Sequence, residues 1–193
     1  TIYSKGAVVV GMLRYALGDS LFFGAIKKYL TDFAFSTATT EDLKKTIENY
    51  TGRNLDVFFD QWIYRQGYPE ITVNVDKTVS DGKFIAKLNI SQYNPKSWGT
   101  FLDVPVEIGF RMADGTFEYR TYSLGADTVF ASEEFGQDFK SVNTNKGPSV
   151  RALAKFRTVN FTEAEGDQPL VSINIAPNPA SVRLTVSCGE PIQ

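Results

Sequence analysis

The run Tyr3-Ser4-Lys5-Gly6-Ala7 sets a phenol and an ammonium at the entrance of a long apolar segment. A phenol stays neutral near pH 7 and can donate a hydrogen bond to an oxygen that gains negative charge during a reaction. The plainer reading of Tyr3 is an aromatic plug at a helix entrance, and that of Lys5 is an exposed first-turn lysine. Glu41, Asp42, Asp56 and Asp60 form no pair whose spacing argues for acid–base work, and they read as caps and solubilising groups of helices. The 193 residues contain no histidine, which removes the commonest general base and the commonest metal ligand. Ser-His-Asp and Cys-His chemistry therefore cannot be assembled from this sequence. Cys188 is the single cysteine, so neither an internal disulfide nor a thiolate zinc site can form.

The elements that would carry these groups follow from periodicity. Residues 4–17 are apolar around most of a helix, the mark of a segment buried on several sides. Gly18 suits a left-handed cap, and Asp19 or Ser20 can start the next helix, with Phe22, Ile26, Tyr29, Leu30 and Phe33 on one face. Thr39 or Thr40 opens a third helix on Leu43, Ile47 and Tyr50, closed by Gly52. Asn54 can cap a fourth, whose Leu55, Phe58, Phe59, Trp62 and Ile63 form an aromatic stripe that ends at Gly67-Tyr68-Pro69.

Beyond Pro69 the period becomes two: Ile71, Val73, Val75; then Phe84, Ala86, Leu88, Ile90; then Val104, Val106, Ile108, Phe110. Asp81-Gly82 and Asp114-Gly115 are hairpin signals, and a last strand is expected near residues 150–159. The fold class expected is α+β, an N-terminal helical segment followed by an antiparallel β-sandwich. The expected domains are 1–68 (helical), 69–161 (sandwich), a polar linker at 162–169 and a further unit at 170–193. A composition of 42% apolar and 22% charged residues supports a packed core. A net charge of −2 argues against nucleic acid, and no apolar run approaches the ~20 residues of a membrane-spanning helix. Sequons at Asn49, Asn89 and Asn160 leave glycosylation as a minor expectation.

Five motifs in order, Tyr3-Ser4-Lys5-Gly6-Ala7, Leu17-Gly18-Asp19, Thr39-Thr40-Glu41-Asp42-Leu43, Phe58-Phe59-Asp60-Gln61-Trp62 with Gly67-Tyr68-Pro69, and Leu88-Asn89-Ile90-Ser91-Gln92, resemble the gluzincin zinc aminopeptidases. That family includes alanyl and leucyl aminopeptidases and leukotriene hydrolase. The resemblance spans residues 3–160 and implies the end of a thermolysin-like catalytic domain followed by a sandwich domain. It implies that the zincin helices lie upstream, so that the sequence begins partway through such a domain and its zinc ligands, general base and amine-recognising glutamates are outside it. Of the catalytic groups only the tyrosine carries over, onto Tyr3, as donor to the transition-state oxyanion. The implied parent is a zinc-dependent aminopeptidase acting on peptides, with the upstream catalytic domain as partner; this chain alone is expected to bind no zinc and to be inactive. The alternative is a non-catalytic binding or spacer module, or a pseudoenzyme scaffold.

The stretch VSINIAPNPASVRLTV resembles the opening of the sorting domain used in type IX secretion, where a strand leads through Pro-Asn-Pro into a second strand. That implies a secreted or cell-surface protein of a Gram-negative bacterium, with a periplasmic location as the alternative. An ordinary proline-bounded hairpin is the simpler account of the same residues.

Overall fold

The computed structural model describes residues 2–163. Four helical elements come first: α1 (Ile2–Leu17), α2 (Asp19–Asp32), α3 (Thr40–Thr51) and the short α4 (Asp56–Phe59). A π-helical turn, Asp60–Tyr64, continues α4 without a break. The caps explain most boundaries. Thr39 and Asp42 form a reciprocal capping box, with the Asp42 amide donating to Thr39 Oγ1 at 3.2 Å and the Thr39 amide to Asp42 Oδ2 at 2.9 Å. Gly52 closes α3 in the left-handed region. The Gly18 amide (φ 79°) donates to the Arg14 carbonyl at the end of α1, its own carbonyl accepts the Phe22 amide at the start of α2, and neither Asp19 nor Ser20 caps that helix. Asn54 does not cap α4 as expected: the N-cap position is Leu55, and Asn54 Oδ1 instead accepts the Asp56 amide in a local turn.

The change from helix to strand falls between Tyr64 and Glu70. Gly67 (φ 87°) makes the turn, and a Cβ there would lie 2.4 Å from the Trp98 ring, so both the conformation and the space require glycine. Seven strands follow: β1 (Glu70–Ser80), β2 (Lys83–Tyr93), β3 (Val104–Met112), β4 (Phe117–Leu124), β5 (Val129–Phe135), β6 (Phe139–Thr144) and β7 (Lys155–Glu163). One sheet has the order β5-β2-β1-β7 and the other β4-β3-β6. The Asp81-Gly82 turn joins β1 to β2, with both residues at positive φ (52° and 73°) and Ser80 opposite Lys83.

The α+β organisation read from the sequence is present. One pairing departs from the antiparallel expectation: β7 lies parallel to β1, from Glu70 opposite Lys155 to Lys77 opposite Glu163, which makes that sheet mixed. β7 also starts later than residue 150 and runs on through Thr162 and Glu163, the first two residues of the expected linker. The remainder of that linker and residues 170–193, including the proposed sorting segment and Cys188, lie outside the described residues.

The inward-facing alternation behaves as its period demands. Ile71, Val73, Val75, Ala86, Leu88, Ile90, Val104, Val106, Ile108 and Phe110 from the two sheets share one core with Val9, Met12 and Trp62 from the helical segment. A second cluster, Leu13, Leu17, Phe22, Ala25, Ile47, Leu55 and Phe59, holds the helices to one another. Ile63, expected on the inner aromatic stripe, is 40% exposed. On the outward face of β3, Glu107 is buried beneath the 147–149 loop, where the Ser149 amide donates to its carboxylate at 3.2 Å. Gly147 passes so close that any Cβ would overlap that carboxylate.

At the end of the sheets away from the helices, Lys77 is buried between the carboxylates of Asp138 and Glu163 and over the rings of Phe84 and Phe139. Burial works against its charge, but the two carboxylates outweigh it and hold its pKa above the ordinary lysine value. Lys140 and then Lys77 hold the Asp138 carboxyl below the usual range. Folded Asp138 thus binds a proton less readily than unfolded Asp138, so its contribution is complete above the unfolded pKa and is lost as pH falls through the lowered folded value. Accordingly, the stability difference between the parent chain and Asp138→Asn should shrink as pH drops below about 4. Urea unfolding across that range checks this; a difference independent of pH would remove Asp138 from the acid response.

Candidate functional site

Tyr3 stands on the first turn of α1 with its side chain 90% exposed. Lys5 is half-buried and Gly6 exposed one turn further along. The cause of this placement is the stripe that α1 buries: Val9, Met12, Leu13 and Leu17 face the two cores, and Tyr3 falls outside that stripe. The acidic residues of the helices are separately engaged. Asp42 belongs to its capping box, Asp56 pairs with Lys44, Asp60 pairs with Arg65, and Glu41 accepts the Tyr64 hydroxyl at 2.5 Å. Tyr64 is held above the ordinary tyrosine pKa chiefly by that bond to Glu41. The structure therefore brings none of these carboxylates to Tyr3, in keeping with their reading as structural groups.

No set of three or more His, Cys, Asp or Glu side chains that could hold a metal ion occurs among the described residues. With no histidine in the sequence, the donor set does not fit a catalytic zinc ion. A separate junction ties the helical segment to the sheets. Its centre is Gln61, buried on the π-helical turn. Its side-chain amide donates to the Leu102 carbonyl at 2.7 Å, and its carbonyl accepts the Leu102 amide at 2.9 Å. A side chain thereby supplies both halves of a strand-like rung to Leu102. Gln92, at the end of β2, grips the same loop from the other side. Its amide donates to the carbonyls of Phe101 (2.7 Å) and Gly125, and its Oε1 accepts the Phe101 amide at 3.2 Å.

The Phe101 ring, held between these amides, packs on Trp62 with centroids 5.1 Å apart. The Arg65 guanidinium donates to the Thr100 carbonyl at 3.0 Å, and the Leu153 amide points at Met12 Sδ at 3.2 Å. Helices and sheets are therefore fixed to each other through residues 100–102. Both glutamines stand inside the sequence motifs given above, yet a glutamine within an aromatic stripe names no partner. Only its burial in the folded structure marks Gln61 as a bonded group.

Residues 1–62 match the Peptidase family M1 domain. The chain is similar to Aminopeptidase A of Gloydius brevicauda, 31% identical over 143 residues, covering 73% of this chain and 15% of the relative. It is 29% identical over 106 residues to Glutamyl aminopeptidase of Bitis rhinoceros, covering 54% of this chain and 11% of that protein. Probable aminopeptidase 1 of Sulfurisphaera tokodaii is 36% identical over 74 residues, 38% of this chain and 9% of its own length. Legionella pneumophila aminopeptidase A, solved in complex with aspartic acid, shares the fold with a TM-score of 0.54 at 18% identity, covering 80% of this chain and 18% of its own. The chain thus spans a small part, 15% or less, of these curated relatives. The aminopeptidase relationship implied by the five sequence motifs is supported by these matches.

Gln61→Leu should destabilise the chain by about 1–3 kcal/mol, because it removes both hydrogen bonds that the buried Gln61 side chain makes to the Leu102 backbone. The midpoint of urea unfolding measures this. A loss under about 0.5 kcal/mol, no larger than that of an ordinary surface substitution, would show that the rung is dispensable.

Proposed function

We propose that this chain is the C-terminal part of the peptidase domain of a zinc-dependent aminopeptidase, joined to the β-domain that follows it, and that the whole protein removes N-terminal residues from peptides. The observation that carries this reading is the match of residues 1–62 to the M1 peptidase domain, with Tyr3 at its start. The zinc ligands and the general base would come from the upstream catalytic part, since the described residues offer no donor set.

Tyr3 is the residue of this chain assigned to the chemistry. When a peptide carbonyl is attacked, its oxygen gains negative charge, and a neutral phenol can meet it with a hydrogen bond that strengthens as the charge grows. The side chain's exposure leaves the hydroxyl accessible to a substrate held on neighbouring structure. The remainder of α1 and the junction beneath it act as the mount. We further propose export to the cell surface of a Gram-negative bacterium, on the resemblance of residues 169–188 to the opening of a type IX sorting domain.

Steady-state kinetics on the full-length enzyme test the assignment. Tyr3→Phe should lower kcat by about two to three orders of magnitude, the cost of one oxyanion donor, with KM and zinc content little changed. A kcat within twofold of the parent would reduce Tyr3 to a surface aromatic. Loss of zinc along with activity would make the defect structural instead.

A further inference from the structure

Two Asp-Gly pairs turn the sheets, Asp81-Gly82 between β1 and β2 and Asp114-Gly115 between β3 and β4, and all four residues are exposed. This dipeptide carries a reaction of its own. The glycine nitrogen can attack the carboxyl carbon of the aspartyl side chain, because no Cβ on the glycine stands in the way. The fold treats the two pairs differently. At Asp114-Gly115 both reacting groups are occupied. The Gly115 amide donates to the Met112 carbonyl at 3.0 Å, and Asp114 Oδ1 accepts the Thr116 amide at 2.9 Å and the Thr116 hydroxyl at 2.6 Å. Those Thr116 bonds also hold the Asp114 carboxyl below its usual pKa range, which favours the unreactive anion. At Asp81-Gly82 the glycine nitrogen has no acceptor among the described residues, and a Cβ on Gly82 would meet nothing within 4 Å. The Asp81 carboxylate takes a single bond among those residues, from the Ser80 hydroxyl at 3.3 Å.

We propose that the β1–β2 turn is a site of spontaneous isoaspartate formation at Asp81, and that the hydrogen bonds of the β3–β4 turn protect Asp114 from the same reaction. The Gly82 nitrogen bonds to Cγ of the protonated Asp81 carboxyl and gives up its proton as the carboxyl hydroxyl leaves. One water departs, and a cyclic succinimide closes. Water then adds to either ring carbonyl. Breaking the bond from nitrogen to Cγ restores aspartate. Breaking the bond from nitrogen to the Asp81 main-chain carbonyl carbon leaves Gly82 joined through Cγ, an isoaspartyl linkage. Nothing is oxidised or reduced, and water is the only co-reactant. The product has one methylene more in its main chain. A two-residue turn has no slack for it, so Ser80 and Lys83 lose their places opposite each other. Its branch is a free α-carboxylate, the group that a protein-repair methyltransferase accepts as substrate. The proposal concerns neither Tyr3 nor the helical segment, so it stands apart from the peptidase reading.

The test is incubation of the full 193-residue chain in heavy-oxygen water at neutral pH and body temperature, followed by peptide mapping with electron-transfer fragmentation. Each passage through the succinimide adds one heavy oxygen atom, and the fragments of an isoaspartyl linkage identify the residue that converted. Label and isoaspartate should accumulate at Asp81 roughly tenfold faster than at Asp114, since the hydrogen bonds that must open to free the Gly115 amide and the Asp114 carboxyl are worth about that factor. In a concentration of urea that unfolds the chain, the two sites should convert at similar rates. Purified protein isoaspartate methyltransferase should methylate the aged chain far more than an equally aged Asp81→Gly variant, in which glycine keeps the left-handed turn. Equal rates at the two sites of the folded chain, faster conversion at Asp114, or an aged chain without label at Asp81 would each overturn the proposal. A difference that persists in urea would place its cause in the neighbouring residues and overturn the protection of Asp114 by the fold.

Discussion

The relation between helices and sheets rests on a side-chain amide that imitates a backbone. Residues 99–103 form an irregular loop outside the strands, anchored by the buried Phe101, so the peptide groups of Phe101 and Leu102 take partners from elsewhere. Gln61 and Gln92 satisfy them from opposite sides, one from the helical segment and one from β2. Once that loop is set, Phe101 is pressed against Trp62, and the strand that follows, β3, enters the core at a defined position. The hydrophobic clusters supply the bulk of the driving force, yet burial is non-directional. The amides decide which of many similar apolar contacts is made.

Local chemistry was legible in the residues. Thr39 and Asp42 announce their capping box, Gly52 its left-handed stop, and Asp81-Gly82 its hairpin, because each depends on neighbours within a few positions. The inward alternation of β1, β2 and β3 was equally plain. β5 and β6 were not, since VFASEEF and FKSVNT mix polar residues into both faces and lie near the periphery of their sheets. The parallel neighbour of β1 was beyond reach for a different reason: Glu70 and Lys155 are far apart in the chain, and no local pattern encodes their pairing. The continuation of α4 into a π-helical turn escaped as well, for the same apolar stripe suits an ordinary helix.

For the functional residues the division is similar. Tyr3 stands out by its motif, but its use depends on groups that other parts of a protein would place around it. Glu107 gives the converse lesson: within the alternation of β3 it reads as a solvent-facing residue, and the 147–149 loop then closes over it.

The parallel pairing of β1 and β7 has a mechanical meaning. The chain enters the sheets at Glu70 beside the helices and leaves β7 at Glu163 at the opposite pole. Tension applied across those two points therefore runs along the strands rather than across them. Their shared rungs are strained together, in shear, and none can be peeled open ahead of the next. A unit connected in this way transmits a pull from one end to the other as a tie rod does, with its two outermost attachments carried by adjacent strands.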